Sequence, residues 1–154
     1  MKLKIKSMRN QILYSTLLLL FSFQTFAQKT NTSENDDKSW PGFFKLIQTA
    51  VKSGDKNKIM SLCEFTIMTK AEFNEDFEFF FSGDGKKRFV KAKQNDAEKI
   101  KQDFEGLSNA TEFYQITFNF IEKDEDGDED ESSLIYYFAK IKGKFRLIKL
   151  EMAG

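Results

Sequence analysis

The spacing of apolar residues along this chain changes once, near Glu112, and that change limits the fold more than any other feature. From Trp40 to Phe81 the large apolar residues recur at helical intervals. From Glu112 onward they alternate with polar ones. A helix buries a stripe with a period of about 3.6 residues, whereas a strand buries every second side chain. Helices first and strands last make an α+β chain, with N-terminal helices packed on one face of a bent C-terminal antiparallel sheet of at least three strands.

Local signals place the elements. Ser39 before Pro41 reads as a helix start, with serine as the cap and proline in the first turn. Trp40, Phe43, Phe44, Ile47, Ala50 and Val51 then share one face, Gly54 stops the helix and Asp55 caps the next. Ile59, Leu62 and Cys63 form the apolar face of that second helix, and Phe65 and Ile67 suggest a short extended exit. Thr69-Lys70-Ala71-Glu72 fits a capping box, in which Thr and Glu satisfy each other's exposed backbone donors. Phe73, Phe77, Phe80 and Phe81 follow at helical spacing, so "FEFFF" reads as helix rather than strand. "SGDG" from Ser82 is a break. Beyond it Phe89, Val90 and Ala92 are core candidates, and Asp96 to Glu105 suggests another helical turn or two with Ile100 and Phe104 inward.

In the second half Tyr114, Ile116, Phe118 and Phe120 alternate with Gln115, Thr117 and Asn119, the pattern of a strand with one buried face. Leu134 to Ile141 is a strand apolar on both faces at its centre. Lys142-Gly143 is a tight turn, and Phe145 to Leu150 is the last strand.

The N-terminus reads as an export signal. Lys2, Lys4, Lys6 and Arg9 precede an apolar run from Ile12 to Phe26, and Thr25 and Ala27 suit cleavage after Ala27. Ser15, Ser22, Gln24 and Thr25 interrupt the run, which falls short of the about 20 apolar residues of a span. The expectation is a signal peptide over 1–27, a flexible polar leader over 28–39 and a single α+β domain over 40–154, destined for the periplasm or the medium. No membrane contact is expected after cleavage. Losing Lys2, Lys4, Lys6 and Arg9 from a chain of 24 basic and 24 acidic residues leaves −4, which argues against a nucleic-acid surface. Cys63 is the only cysteine, so the chain forms no internal disulfide, and the plain reading is a buried, inert thiol.

One stretch advertises chemistry: "EKDEDGDEDESS", Glu122 to Ser133. Setting Gly127 at the glycine position of a helix–loop–helix calcium loop puts Glu122 where Asp is usual and Ser133 where the closing Glu belongs. The flanks read as strands, so the motif fails. Asp126-Gly127 between two apolar runs is instead a hairpin signal, and the acids are a solvated tip that discourages edge pairing. Clustered carboxylates attract hard cations, so weak calcium binding at Asp124, Asp126, Asp128 and Asp130 stays as the alternative.

Other chemistry is sparse. The chain has no histidine, which removes a histidine base or ligand, and one cysteine cannot build a zinc site. No phosphate loop is present, since "SGDGKK" lacks the strand and the spacing. Lys86, Lys87, Arg88, Lys91 and Lys93 read as a solvated helix face. No cofactor is expected. Tyr114, Phe118, Tyr136 and Phe138 are the candidates to line a pocket between helices and sheet; the plainer reading makes Tyr136, Tyr137 and Phe138 core and cross-strand pairs.

The order of "WPGFFKLIQTAVKSGD" (Trp40 to Asp55), "KIMSLCEF" (Lys58 to Phe65) and "YYFAKIKGKFRLIKLEMAG" (Tyr136 to Gly154) resembles small exported proteins of Bacteroidetes-type bacteria. It is also similar to the cone-shaped cystatin-like or nuclear-transport-factor-2-like fold. That resemblance implies helices that wrap a strongly bent antiparallel sheet. Enzymes of that superfamily use aspartate, histidine or tyrosine inside the cone, and this chain has no histidine and no clear interior aspartate, so only the fold carries over. The expectation is an exported non-enzymatic binding or interaction module, with a small apolar ligand between helices and sheet. Its rival is a protein-interaction domain with a filled core. An enzyme using carboxylate or tyrosine chemistry ranks last. A dry open cavity favours the ligand, and a filled core with exposed apolar surface favours a protein partner.

Overall fold

Ser39 starts the first helix as its place before Pro41 implies. The computed structural model describes residues 36–102, 104–123 and 129–154, with Glu122, Lys123, Glu129 and Asp130 described in backbone only. Helix α1 runs Trp40–Ser53: Ser39 Oγ accepts from the Gly42 N–H at 3.3 Å, and Gly54 closes the helix in the left-handed region at φ 71°. Asp55 caps the short α2, Lys56–Ser61, by accepting from the Lys58 N–H at 2.9 Å. The capping box of α3, Lys70–Phe81, is complete, with Thr69 N–H on Glu72 Oε2 at 2.6 Å and Glu72 N–H on Thr69 Oγ1 at 3.2 Å. Its buried residues are Phe73, Phe77, Phe80 and Phe81.

The break at "SGDG" is only an elbow, because α4, Gly83–Lys91, begins at once. Gly85 makes the elbow tight. A Cβ there would stand 2.6 Å from the Phe79 carbonyl oxygen and 2.7 Å from that of Phe80, so only glycine lets α4 approach the end of α3 this closely.

Strands β1 (Glu98–Ile100), β2 (Ala110–Lys123), β3 (Glu129–Ile141) and β4 (Lys144–Ala153) form an antiparallel meander in chain order. The α+β architecture thus stands, with four helices N-terminal to four strands among the described residues. Lys142 (φ 49°) and Gly143 (φ 80°) make the two-residue turn between β3 and β4, the arrangement that suits the twist of a hairpin. In β4 the register slips between the partners of Tyr137 and Phe138, leaving Ile148 unpaired. That bulge reverses the alternation. Phe145 and Leu147 before it and Leu150 after it all join the helix-side core, while Ile148 packs on the far face.

Four expectations need correction. Asp96 to Glu105 is not helical: a 3-10 turn at Gln94–Asp96 leads into β1, whose three residues gain backbone bonds from the edge of β2. Ile100 and Phe104 do face a core, but it is a second one on the far side of the sheet, with Leu107, Tyr137, Ala139 and Ile148. This second cluster explains why the centre of β3 is apolar on both faces. The extended exit after α2 lies at Leu62–Glu64, where Leu147 bonds Leu62 O at 3.0 Å and Glu64 bonds Leu147 O at 2.9 Å; Phe65 to Ile67 is a turn. Finally, the end of the expected leader is folded. Asp36–Lys38 is a 3-10 turn, and Asp37 reaches Arg146 at 3.1 Å and Lys144 at 3.4 Å.

Residues 1–35 and 124–128 lie outside the described residues, and with them the expected signal peptide, the first part of the leader, and Asp124, Asp126 and Asp128. The β2–β3 pairing runs out to Glu122↔Asp130 and Lys123↔Glu129, so strands do flank the acidic stretch on both sides. Among the described residues no helix is long and apolar enough to cross a membrane.

Candidate functional site

The alternation of β2 and β3 brings Tyr114, Phe118, Tyr136 and Phe138 together on the helix side, as the sequence implied, and there they meet aromatic rings rather than space. Trp40 stacks on Tyr114 with centroids 4.5 Å apart and planes 1° apart. Phe138 meets Trp40 edge-on at 5.2 Å, and Tyr136 meets Phe118 at 5.7 Å, Phe80 at 5.2 Å and Phe89 at 4.9 Å. Contacts of this geometry add to the gain from burial. Tyr136 and Phe138 are 0 % exposed. The Tyr136 hydroxyl is spent on the Phe80 carbonyl at 2.8 Å, and burial raises its pKa, so it is held as a hydrogen-bond donor.

Three partly buried side chains are similarly committed. Cys63 Sγ donates to Ile59 O at 3.3 Å, and loss of solvent pushes the thiol up to about 12 despite the opposing Arg146. A thiol so shifted is a poor nucleophile. Glu112 accepts from Lys140 at 3.0 Å and Lys99 at 3.2 Å, which lowers its pKa, foremost through the Lys140 bond. Gln48 donates to the carbonyls of Phe89, Val90 and Ala92 and so closes the end of α4. Among the described residues no group of three His, Cys, Asp or Glu could hold a metal ion.

Open space lies at the surface, where α3 turns into α4 beside the far half of β2. One cavity of about 410 Å³ is lined by Glu78, Phe79, Arg88, Phe120 and Leu134 with the elbow residues Ser82–Gly85. A second of about 490 Å³ has Asn119, Ile121, Glu131 and Ser133, and shares Arg88, Phe120 and Ile121 with the first. Among the described residues three large apolar side chains are exposed, and two of them, Phe79 at 46 % and Ile121 at 59 %, line these cavities. The third, Met152 at 60 %, is the strand partner of Leu134.

Arg88 lies between the two cavities. Its guanidinium donates to the Asn119 carbonyl at 3.1 Å and lies 5.7 Å from the Phe120 ring. Sequence reasoning assigned Arg88 to a solvated face and passed over Phe79 and Ile121. Both apolar residues fall out of phase with their own elements: Phe79 between the inward Phe77 and Phe80, Ile121 after four inward even-numbered residues. A large apolar side chain off the buried phase was the available signal.

Comparison with protein-family models, with curated proteins and with solved structures finds no match.

Proposed function

We propose that this chain is an exported, non-enzymatic interaction module that binds a protein partner on its surface, its interior being filled. The observation that carries this reading is the aromatic packing of Tyr114, Phe118, Tyr136 and Phe138 against Trp40, Phe80 and Phe89 in the space where a small apolar ligand would otherwise sit. The exposed Phe79 and Ile121 lie instead at the elbow groove, the kind of surface that marks an interaction site. Export rests on the N-terminal Lys/Arg and apolar run. The likeness to cone-shaped α+β proteins rests on helices followed by an antiparallel meander with a bulged last strand.

A screen of small apolar compounds by thermal shift tests the reading. The expected outcome is no stoichiometric stabilisation. A compound that raises the melting temperature and places its atoms among Tyr114, Phe118, Tyr136 and Phe138 in a co-crystal would restore the interior pocket and end the surface reading. N-terminal sequencing of the protein recovered from the producing cell is expected to begin at Gln28.

A further inference from the structure

The backbone of β2 is covered unevenly. On its outer side β1 pairs only with Phe113 to Gln115, and the chain before Glu98 turns away at Gln94–Asp96. From Ile116 to Lys123 no described strand lies on that side. The Asn119 carbonyl shows which groups face out, because it accepts from the Arg88 guanidinium of α4. In an antiparallel ladder a residue's N–H and C=O point to the same neighbour, with a period of two. Thr117 and Ile121 therefore present backbone donors and acceptors on the same open side as Asn119.

The two cavities lie along this edge. Side chains of an added strand would point alternately to the two faces of the sheet. On the helix face they would lie beside Phe120 and the exposed Phe79; on the far face they would lie beside Ile121, whose partner on β3 is the exposed Glu131, within reach of a long side chain. One face asks for apolar side chains and the other for a cation. Glu78 at the rim of the first cavity adds negative charge, while Asp84 is already paired with Lys87 at 2.8 Å.

We propose that the open edge of β2 from Thr117 to Ile121 takes up an extended peptide segment with alternating apolar and basic side chains, which joins the sheet as an added strand. This rests on the surface-interaction reading and names its partner chemistry. Main-chain bonds would supply affinity and the two cavities selectivity. Arg88 holds the central carbonyl of the edge in the free protein. An incoming strand displaces it and brings like charge beside it.

The test uses a short capped synthetic peptide of alternating valine and lysine. Its controls are a glutamate-for-lysine counterpart and two copies N-methylated on alternate backbone nitrogens, one copy for each edge of the peptide. Calorimetry and amide-shift mapping on the whole protein are the readouts. The lysine peptide is expected to bind about tenfold or more tighter than the glutamate peptide, to shift Thr117 and Ile121, and to lose binding with only one of the two methylated copies. Glu131→Gln is expected to weaken it and Arg88→Ala to tighten it. Equal loss, or no loss, with both methylated copies overturns edge pairing, as does an absence of binding. A tighter glutamate peptide, or weaker binding by Arg88→Ala, overturns the basic chemistry. If no peptide binds and the protein sediments as a dimer that Ile121→Lys dissolves, the occupant is a second copy and this proposal falls, while the interaction reading stands. A ligand seated among Tyr114 and Phe138 would remove the reading itself.

Discussion

The two halves of β2 carry the same alternation and meet different fates. In the first half Tyr114 is stacked on Trp40, and its neighbours pair with β1 on one side and β3 on the other. In the second half Phe118 and Phe120 still face the helices, but no described strand pairs with the outer backbone, Arg88 bonds the Asn119 carbonyl, and Ile121 stands in solvent. Strand pattern decides which face of a residue is buried; what lies beside the strand depends on segments far away in sequence. Closed and open halves therefore predict different responses to substitution.

Phe138→Ala, in the closed half, should lose the most stability, about 3–5 kcal/mol by urea denaturation, since the vacated volume is walled by fixed rings. A loss near 1 kcal/mol would show that the core collapses readily and would break the contrast. Gly85→Ala tests the elbow that shapes the open groove. The new Cβ must push against the carbonyls of Phe79 and Phe80, so a loss of about 1–3 kcal/mol is expected. An unchanged melting temperature would mean that α3 and α4 slide apart freely. Tyr136→Phe removes the bond to Phe80 O and should cost about 1 kcal/mol with the fold kept; near-UV circular dichroism separates that from repacking.

A smaller effect is expected of the α3 cap under acid. The Glu72 carboxyl lies below the usual carboxylate range, first because it accepts from the Thr69 N–H. A carboxyl lowered in the folded state contributes stability above its unfolded value and loses it as pH falls through the folded one. The melting-temperature gap between the wild type and Glu72→Gln should hold at neutral pH and close in acid. A gap that widens in acid would contradict the capping box. Smallest of all, Ile121→Ser should change stability by no more than about 0.5 kcal/mol. A large loss would show that the open half is covered after all.

Much of the helical half could be read from single residues. Ser39, Gly54, Asp55 and the Thr69–Glu72 pair act through bonds that span only three or four positions, so no distant segment can cancel them. The short pieces between helices and sheet were misread for the opposite reason. Three residues of β1 carry no period of their own and become a strand only because β2 offers an edge. The bulge at Ile148 was visible as the broken alternation of Phe145, Leu147, Ile148 and Leu150, yet its meaning depended on the second core.

The candidate site divides in the same way. By itself the sequence determined that Tyr114, Phe118, Tyr136 and Phe138 share one face, because period two leaves no other choice. Whether they enclose a space or fill it depended on Trp40, Phe80 and Phe89, which come from helices elsewhere in the chain. Only the tertiary structure brought the α3–α4 elbow beside the uncovered half of β2 and placed Phe79, Arg88 and Ile121 around one groove. Local pattern encodes which way a side chain points, while the depth and neighbours of a surface arise from packing between segments that carry no record of one another.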